Sequence, residues 1–260
     1  DLPVKGIFCV FVNCVRQPFT PPASPDGWYI FDNFVKPDGQ YLRFKFHDGT
    51  QTTADSDVIA AGTTERPWDS STIGTGRAYV VMYSHVTEGF FQNGFPTYLF
   101  EVQGVPMYNP AADTSVGGSG DHRWDDPSTW WPSDNPAVVL YNILRGIYHD
   151  GEWVYGLQGV TAAQLPAAHW IAQIEKCETL VTSAAGTEEQ FRSSGEIPVN
   201  AEIVTVIEGL LTACNGRLSD AGGVYKLFAG EADAAVMSIT DGDILSTSEQ
   251  TFTPFFGLSE

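Results

Sequence analysis

Residues 121–145 read DHRWDDPSTWWPSDNPAVVLYNILR, a run of Trp, Asp, Pro and Ser that passes without a break into an apolar helix. Asn135 is a good N-cap, and Pro136 suits the first helical position, where its missing N–H costs nothing. Val139, Leu140, Ile143, Leu144 and Ile147 then form one amphipathic stripe, and Gly146 stands near the expected stop. The spacing predicts a helix over 136–145, preceded by a long loop over 106–134. A loop of that length within a compact domain is functional or joins domains.

Upstream of the loop the chain reads as strands. Residues 4–15 (VKGIFCVFVNCV) are rich in β-branched and aromatic residues. In 41–46, Tyr41, Arg43 and Lys45 alternate with Leu42, Phe44 and Phe46, the pattern of a half-buried strand. Residues 28–35 and 40–46 flank Pro37-Asp38-Gly39, a hairpin signal. The polar stretch 48–76 predicts a connection, and 77–86 and 97–105 two further strands joined through 88–96.

Downstream, residues 148–156 read as an aromatic turn. A second helix is expected from 165 or 166 to 180, with Trp170, Ile171, Ile174, Cys177 and Leu180 on one side. A third follows Pro198 and Asn200, is apolar at Ile203, Val206, Ile207, Leu210, Leu211 and Cys214, and closes on Asn215-Gly216. Residues 217–219 and 224–228 then predict a hairpin. The expected class is α+β in three segments: a β-rich domain over 1–110, a Trp/Asp-rich loop and helical insertion over 111–195, and an α+β unit over 196–260. The opening on Asp1-Leu2 and an end without a stop signal predict a piece of a longer parent protein.

Charge narrows the function. Across 260 residues, 13 Lys+Arg stand against 32 Asp+Glu, a net charge of −19. Stable binding to nucleic-acid phosphates needs a basic footprint, which this composition lacks. No stretch approaches the roughly 18 apolar residues of a membrane span, and no signal-peptide pattern is present. The cysteines, Cys9, Cys14, Cys177 and Cys214, are too few and scattered for a disulfide framework. Cys9 and Cys14 are expected on opposite faces of one strand and the other two within helices, all as ordinary core residues.

Catalytic motifs are scarce. Gly117-Gly118-Ser119-Gly120-Asp121 resembles a nucleophile elbow but lacks its last Gly and its strand–helix context. His169 and Cys177 lie eight residues apart in one expected helix, roughly 12 Å, too far for a thiolate–imidazole pair. His47, His85, His122, His149 and His169 show no ligand spacing. Asp121, Asp125, Asp126 and Asp134 crowd with Trp124, Trp130 and Trp131. Such a cluster can be a sugar site with paired acids, an oxygen-lined calcium site, or a loop whose tryptophans anchor it while its aspartates cap turns. No cofactor or metal is expected.

The joined segments His122-Arg123-Trp124-Asp125-Asp126-Pro127-Ser128-Thr129-Trp130, Ser133-Asp134-Asn135-Pro136-Ala137 and Leu140-Tyr141-Asn142-Ile143-Leu144 resemble a junction found in a known family. It is that of the tail-tip, host-specificity ("J-like") proteins of lambdoid and other long-tailed phages and of gene transfer agents. Arg77-Ala78-Tyr79, Phe95-Pro96 and Asn109-Pro110 before it, and the units up to Phe228 after it, fit the family's order. The first seventy or so residues carry no matching motif. The resemblance implies a structural, non-enzymatic baseplate hub with β-rich, hub-type barrel domains. Such a hub carries a helical insertion and a C-terminal helix-plus-hairpin unit, and joins tail tube to host-recognition tip as a homotrimer. It also implies residence in the virion tail, identical chains and tube and tip proteins as partners, and acidic side chains lining a DNA channel. Trp124, Asp126, Trp130, Asp134, Asn135, Pro136 and Tyr141 are then a structural junction. The competing expectation is a carbohydrate-binding or carbohydrate-active module built on the same Trp/Asp loop.

Overall fold

Alternating apolar residues build two small antiparallel sheets in the first hundred residues. The computed structural model describes residues 3–23, 27–85, 87, 94–149, 151–184, 186–230, 238 and 240–243. The N-terminal elements are β1 (Gly6–Val12), β2 (Val15–Gln17), β3 (Phe19–Thr20), β4 (Tyr29–Phe31), β5 (Val35–Lys36), β6 (Gly39–Gln40), β7 (Leu42–His47), helix α1 (Ser56–Ala61), β8 (Tyr79–Ser84) and β9 (Tyr98–Gln103). One sheet has the order β2-β1-β9 and the other β3-β4-β7-β8, while β5 and β6 form a separate hairpin at Pro37-Asp38. Val10 and Val12 of the first sheet share a core with Phe31, Leu42 and Phe44 of the second. Phe44 is the centre of it: Tyr29 stacks on it at 4.7 Å, and Phe100 of β9 meets it edge-on at 5.5 Å.

The structure departs from, or adds to, the sequence pattern of this half at three points. The run 4–15 is broken at Asn13 and Cys14, whose φ values of 50° and 63° turn β1 back into β2. Cys14 therefore sits exposed on a turn, whereas Cys9 is buried. β8 and β9 do not pair with each other; β8 pairs with β7 and β9 with β1. Residues 88–93 of the expected link between them lie outside the described residues. The polar connection contains α1, started by Asp55, whose Oδ1 accepts from the N–H groups of Asp57 and Val58.

The rest of the chain up to Gly230 surrounds one helix. The elements are α2 (Pro136–Arg145), β10 (Ile147–His149), β11 (Glu152–Tyr155), α3 (Ala167–Cys177), β12 (Leu180–Ser183), β13 (Gly186–Glu189), α4 (Ile203–Ala213), β14 (Arg217–Ala221) and β15 (Val224–Phe228). The stripe of α2 meets α3 and α4, but every residue from Pro136 to Leu144 is buried, because the long loop covers the opposite face. The aromatic turn is the hairpin β10–β11, and β12–β13 is a second hairpin that the sequence pattern does not announce. Trp170, fully buried on α3, donates its Nε1–H to Tyr225 O at 3.0 Å and so ties α3 to the last hairpin. Cys177 and Cys214 meet where α3 and α4 end. Hydrogen bonding to Cys214, with burial, pushes the Cys177 thiol far above its ordinary range.

Among the described residues helix accounts for 25% and strand for 31%, which makes the class α+β, and their sheets do not close into a barrel. No helix among the described residues is long and apolar enough to cross a membrane. A second compact unit spans Glu231–Glu260. Its described part is a single turn at Asp241–Asp243, where Thr240 donates to Asp243. Residues 231–237, 239 and 244–260 of the expected α+β unit over 196–260 lie outside the described residues.

Candidate functional site

The Trp/Asp-rich loop is ordered by four caps in series. The side-chain oxygens of Asn109, Asp113, Asp126 and Asn135 accept from the N–H groups of Ala111, Ser115, Ser128 and Ala137, at 2.9, 2.8, 3.1 and 2.9 Å. Each starts a helical turn: Pro110–Ala112, Thr114–Val116, Pro127–Thr129 and α2. Short side chains of this kind satisfy the first free N–H groups of a turn. Glycines let the loop double back. A Cβ on Gly118 would collide with the carbonyls of Pro110 and Ala111, and one on Gly120 would lie 2.6 Å from Ala112 O. The elbow-like run 117–121 is thus a close backbone crossing, and Ser119 N–H donates to Ala111 O.

The aromatic residues converge behind it. Tyr108 stands against Trp124 (5.5 Å), Tyr141 (5.9 Å) and Trp130 (6.1 Å), and Tyr141 meets Trp170 edge-on at 5.2 Å. The Arg145 guanidinium in the last turn of α2 lies 4.5 Å from the Trp124 ring centre and 4.6 Å from that of Trp130. Its Nη2 donates to Trp124 O at 2.7 Å, and Trp130 Nε1 donates to Arg123 O at 2.7 Å. Trp131 points outward, 60% exposed, with Lys5 Nζ 4.3 Å from its ring.

Buried polar groups lock the loop to α2. Asn142 Oδ1 accepts from Tyr108 N–H at 3.0 Å, while its Nδ2 donates to Tyr108 O (2.7 Å) and Val138 O (2.8 Å). Asp113, fully buried, accepts from Tyr108 OH (2.8 Å), Ser115 and Arg123 Nη1 (3.0 Å). Burial alone would raise its pKa. The bonds from Ser115 and Tyr108 and the Arg123 charge outweigh it, holding the carboxyl below the usual range. Burial also lowers the His122 pKa, in keeping with its Nδ1 accepting from Asn109 N–H at 3.0 Å.

Of the seven residues singled out in the sequence, Trp124, Trp130 and Tyr141 share this aromatic cluster, and Asp126 is an exposed turn cap. Asp134, Asn135 and Pro136 form the start of α2. There Asn135 Nδ2 donates to Ile174 O (3.1 Å) and Glu178 Oε1 (3.2 Å), and Asp134 pairs with Arg192. Tyr108, Asp113, Asn142 and Arg145 belong to the same junction and were not singled out. An asparagine inside an apolar stripe, and Asp113 two residues ahead of Ser115, were the available signals. Among the described residues no three His, Cys, Asp or Glu side chains gather to hold a metal ion. A separate buried polar group lies in the N-terminal half. There Asp55 accepts from Lys45 at 3.2 Å and lies 2.9 Å from His47 Nε2, and Tyr79 stacks on that imidazole.

Chemically, the junction holds its parts together. Its carboxylates cap turns or pair with cations, and its indoles serve packing and cation–π contact. Compared with known proteins, the chain matches no family model and no curated protein sequence.

Proposed function

We propose that this chain is a structural, non-enzymatic component of a phage or phage-like tail tip, a baseplate hub that joins the tail tube to the host-recognition tip. The observation that carries the reading is the packed junction at 106–146, where Trp124, Trp130, Tyr141 and Asn135 each contact other residues of the same chain. Such a brace suits a protein that works by assembly. The resemblance of residues 122–144 to the hub family gives the class of assembly. In this reading the open sheets of the N-terminal half are completed toward a hub-type barrel by identical chains in a homotrimer, since β2, β3, β8 and β9 each leave an edge to pair. The net charge of −19 suits a bore through which DNA passes without adhering.

The test is immunogold electron microscopy with an antibody against this chain, together with native mass spectrometry of the protein. Label at the tail tip and a trimer mass are expected. Label absent from particles, with a monomer at micromolar concentration, overturns the proposal. A glycan array reports on the competing carbohydrate reading: glycan binding lost in Trp130→Ala would favour it over the hub.

A further inference from the structure

The cavity beside the aromatic cluster differs chemically from the rest of this acidic chain. It measures about 330 Å3 and lies between Val105, Pro106 and Met107 on one side and the end of α2 on the other, with Trp130 and Ile147 extending its apolar wall. Among the described residues no Asp or Glu lines it, although the chain carries 32 of them. Arg145 contributes a permanent positive charge to the lining.

Arg145 has no carboxylate at ion-pair distance among the described residues, and Asp125 acts on it only from farther away. Among the described residues it forms no ion pair, in contrast with Lys45, Arg123 and Arg192, which all do. Its hydrogen bond goes to a neutral carbonyl, and its Nε is buried with no partner. Burial draws its pKa downward and outweighs the more distant pull of the Asp125 carboxylate. The indole faces of Trp124 and Trp130 steady the guanidinium without bringing a full negative charge to it. Arg145 is half-buried, and a half-buried guanidinium with no carboxylate in contact at the wall of a cavity marks a place for an anion.

We infer that this cavity binds a small organic monocarboxylate, its apolar body against Val105, Met107, Trp130 and Ile147 and its carboxylate on the Arg145 guanidinium. At the roughly 30 Å3 that a water-sized group occupies, the space holds about ten heavy atoms. A mostly apolar lining with one convergent charge is the usual make-up of a small-molecule site, and guanidinium–carboxylate bonds are among the strong, directional ones. Thr50 and Ser128, both exposed, stand at the rim. The site does not rest on the hub reading, and either can fail without the other.

The test is calorimetric titration of the intact chain with hexanoate and, separately, with its neutral amide hexanamide. Saturable hexanoate binding is expected, with the amide about tenfold weaker, the worth of one charge-assisted hydrogen bond. Arg145→Gln should weaken hexanoate by about the same factor and erase the acid–amide difference. Thr50→Trp, which fills the cavity from its rim, should abolish both. If Arg145→Gln does not fold, the acid–amide comparison and Thr50→Trp decide. Equal binding of acid and amide, no saturable binding, or undiminished binding by a folded Arg145→Gln overturns the assignment.

Discussion

Replacing Asn142 with alanine is expected to cost more than any exposed change in this protein, and the structure sets the size. The Asn142 side chain satisfies both backbone groups of Tyr108 and the Val138 carbonyl, with every bond between 2.7 and 3.0 Å. Truncation leaves the Tyr108 N–H and C=O unpaired in the interior, at about 1–3 kcal/mol each. Val138 O loses a second donor but keeps its helical position, so it adds little. Asn142 also lines the neighbouring cavity, through which water can reach part of the gap, so the lower half of the range applies. The expected loss is about 3 kcal/mol, or a Tm lower by about 6–12 °C for a chain of this size. Urea denaturation followed by circular dichroism, with an unchanged m-value, measures it. Asn142→Asp sharpens the test. It keeps the acceptor for Tyr108 N–H but turns a carboxylate oxygen toward Tyr108 O and Val138 O, and at neutral pH it should be worse than alanine. A loss under about 1 kcal/mol for Asn142→Ala, or an Asp variant milder than the Ala variant, refutes this account of the junction.

Other outcomes follow from the same geometry. Asp113→Asn should destabilise at neutral pH, because the folded carboxyl sits below its unfolded pKa of about 4. Its contribution is complete above that value and is lost as pH falls through the folded pKa, so melts of wild type and Asp113→Asn should converge on acidification; a constant gap would contradict the assignment. Gly120→Ala places a Cβ 2.6 Å from Ala112 O and should cost about 1–3 kcal/mol by forcing the loop apart, whereas Gly104→Ala, with open space around it, should be nearly neutral. Of the four thiols, Cys14 is exposed and the other three are buried, so a chromogenic disulfide reagent should modify Cys14 quickly in the native protein. Fast native modification of Cys177 or Cys214, mapped by peptide mass, would show that the α3–α4 contact is wrong.

The junction shows how far residue patterns reach. Asn135, Pro136 and Gly146 frame α2 through chemistry spanning a few residues, and the helix begins and ends where they stand. The same holds for Asn215-Gly216 after α4. The fate of each tryptophan was not legible. Trp130 and Trp131 are neighbours with the same indole, yet one packs on Tyr108 and the other faces outward over Lys5. Their difference comes from the direction of the backbone after the turn Pro127–Thr129 and from residues distant in the chain. Arg145 reads as an ordinary cation at a helix C-terminus; its lack of a carboxylate in contact appears only in space.

By itself the sequence determined the helices of the C-terminal half, the alternating strands and the acidic balance of charge, because capping, periodicity and charge act over short distances or by simple count. Which sheet each strand joins, that α2 is buried all round, and that Asn142, Asp113 and Tyr108 lock the loop were decided by tertiary structure. Those outcomes depend on contacts across 30 or more residues, as from Tyr108 to Asn142. Such contacts are selected by the shared burial of many side chains and leave no local mark on any one of them.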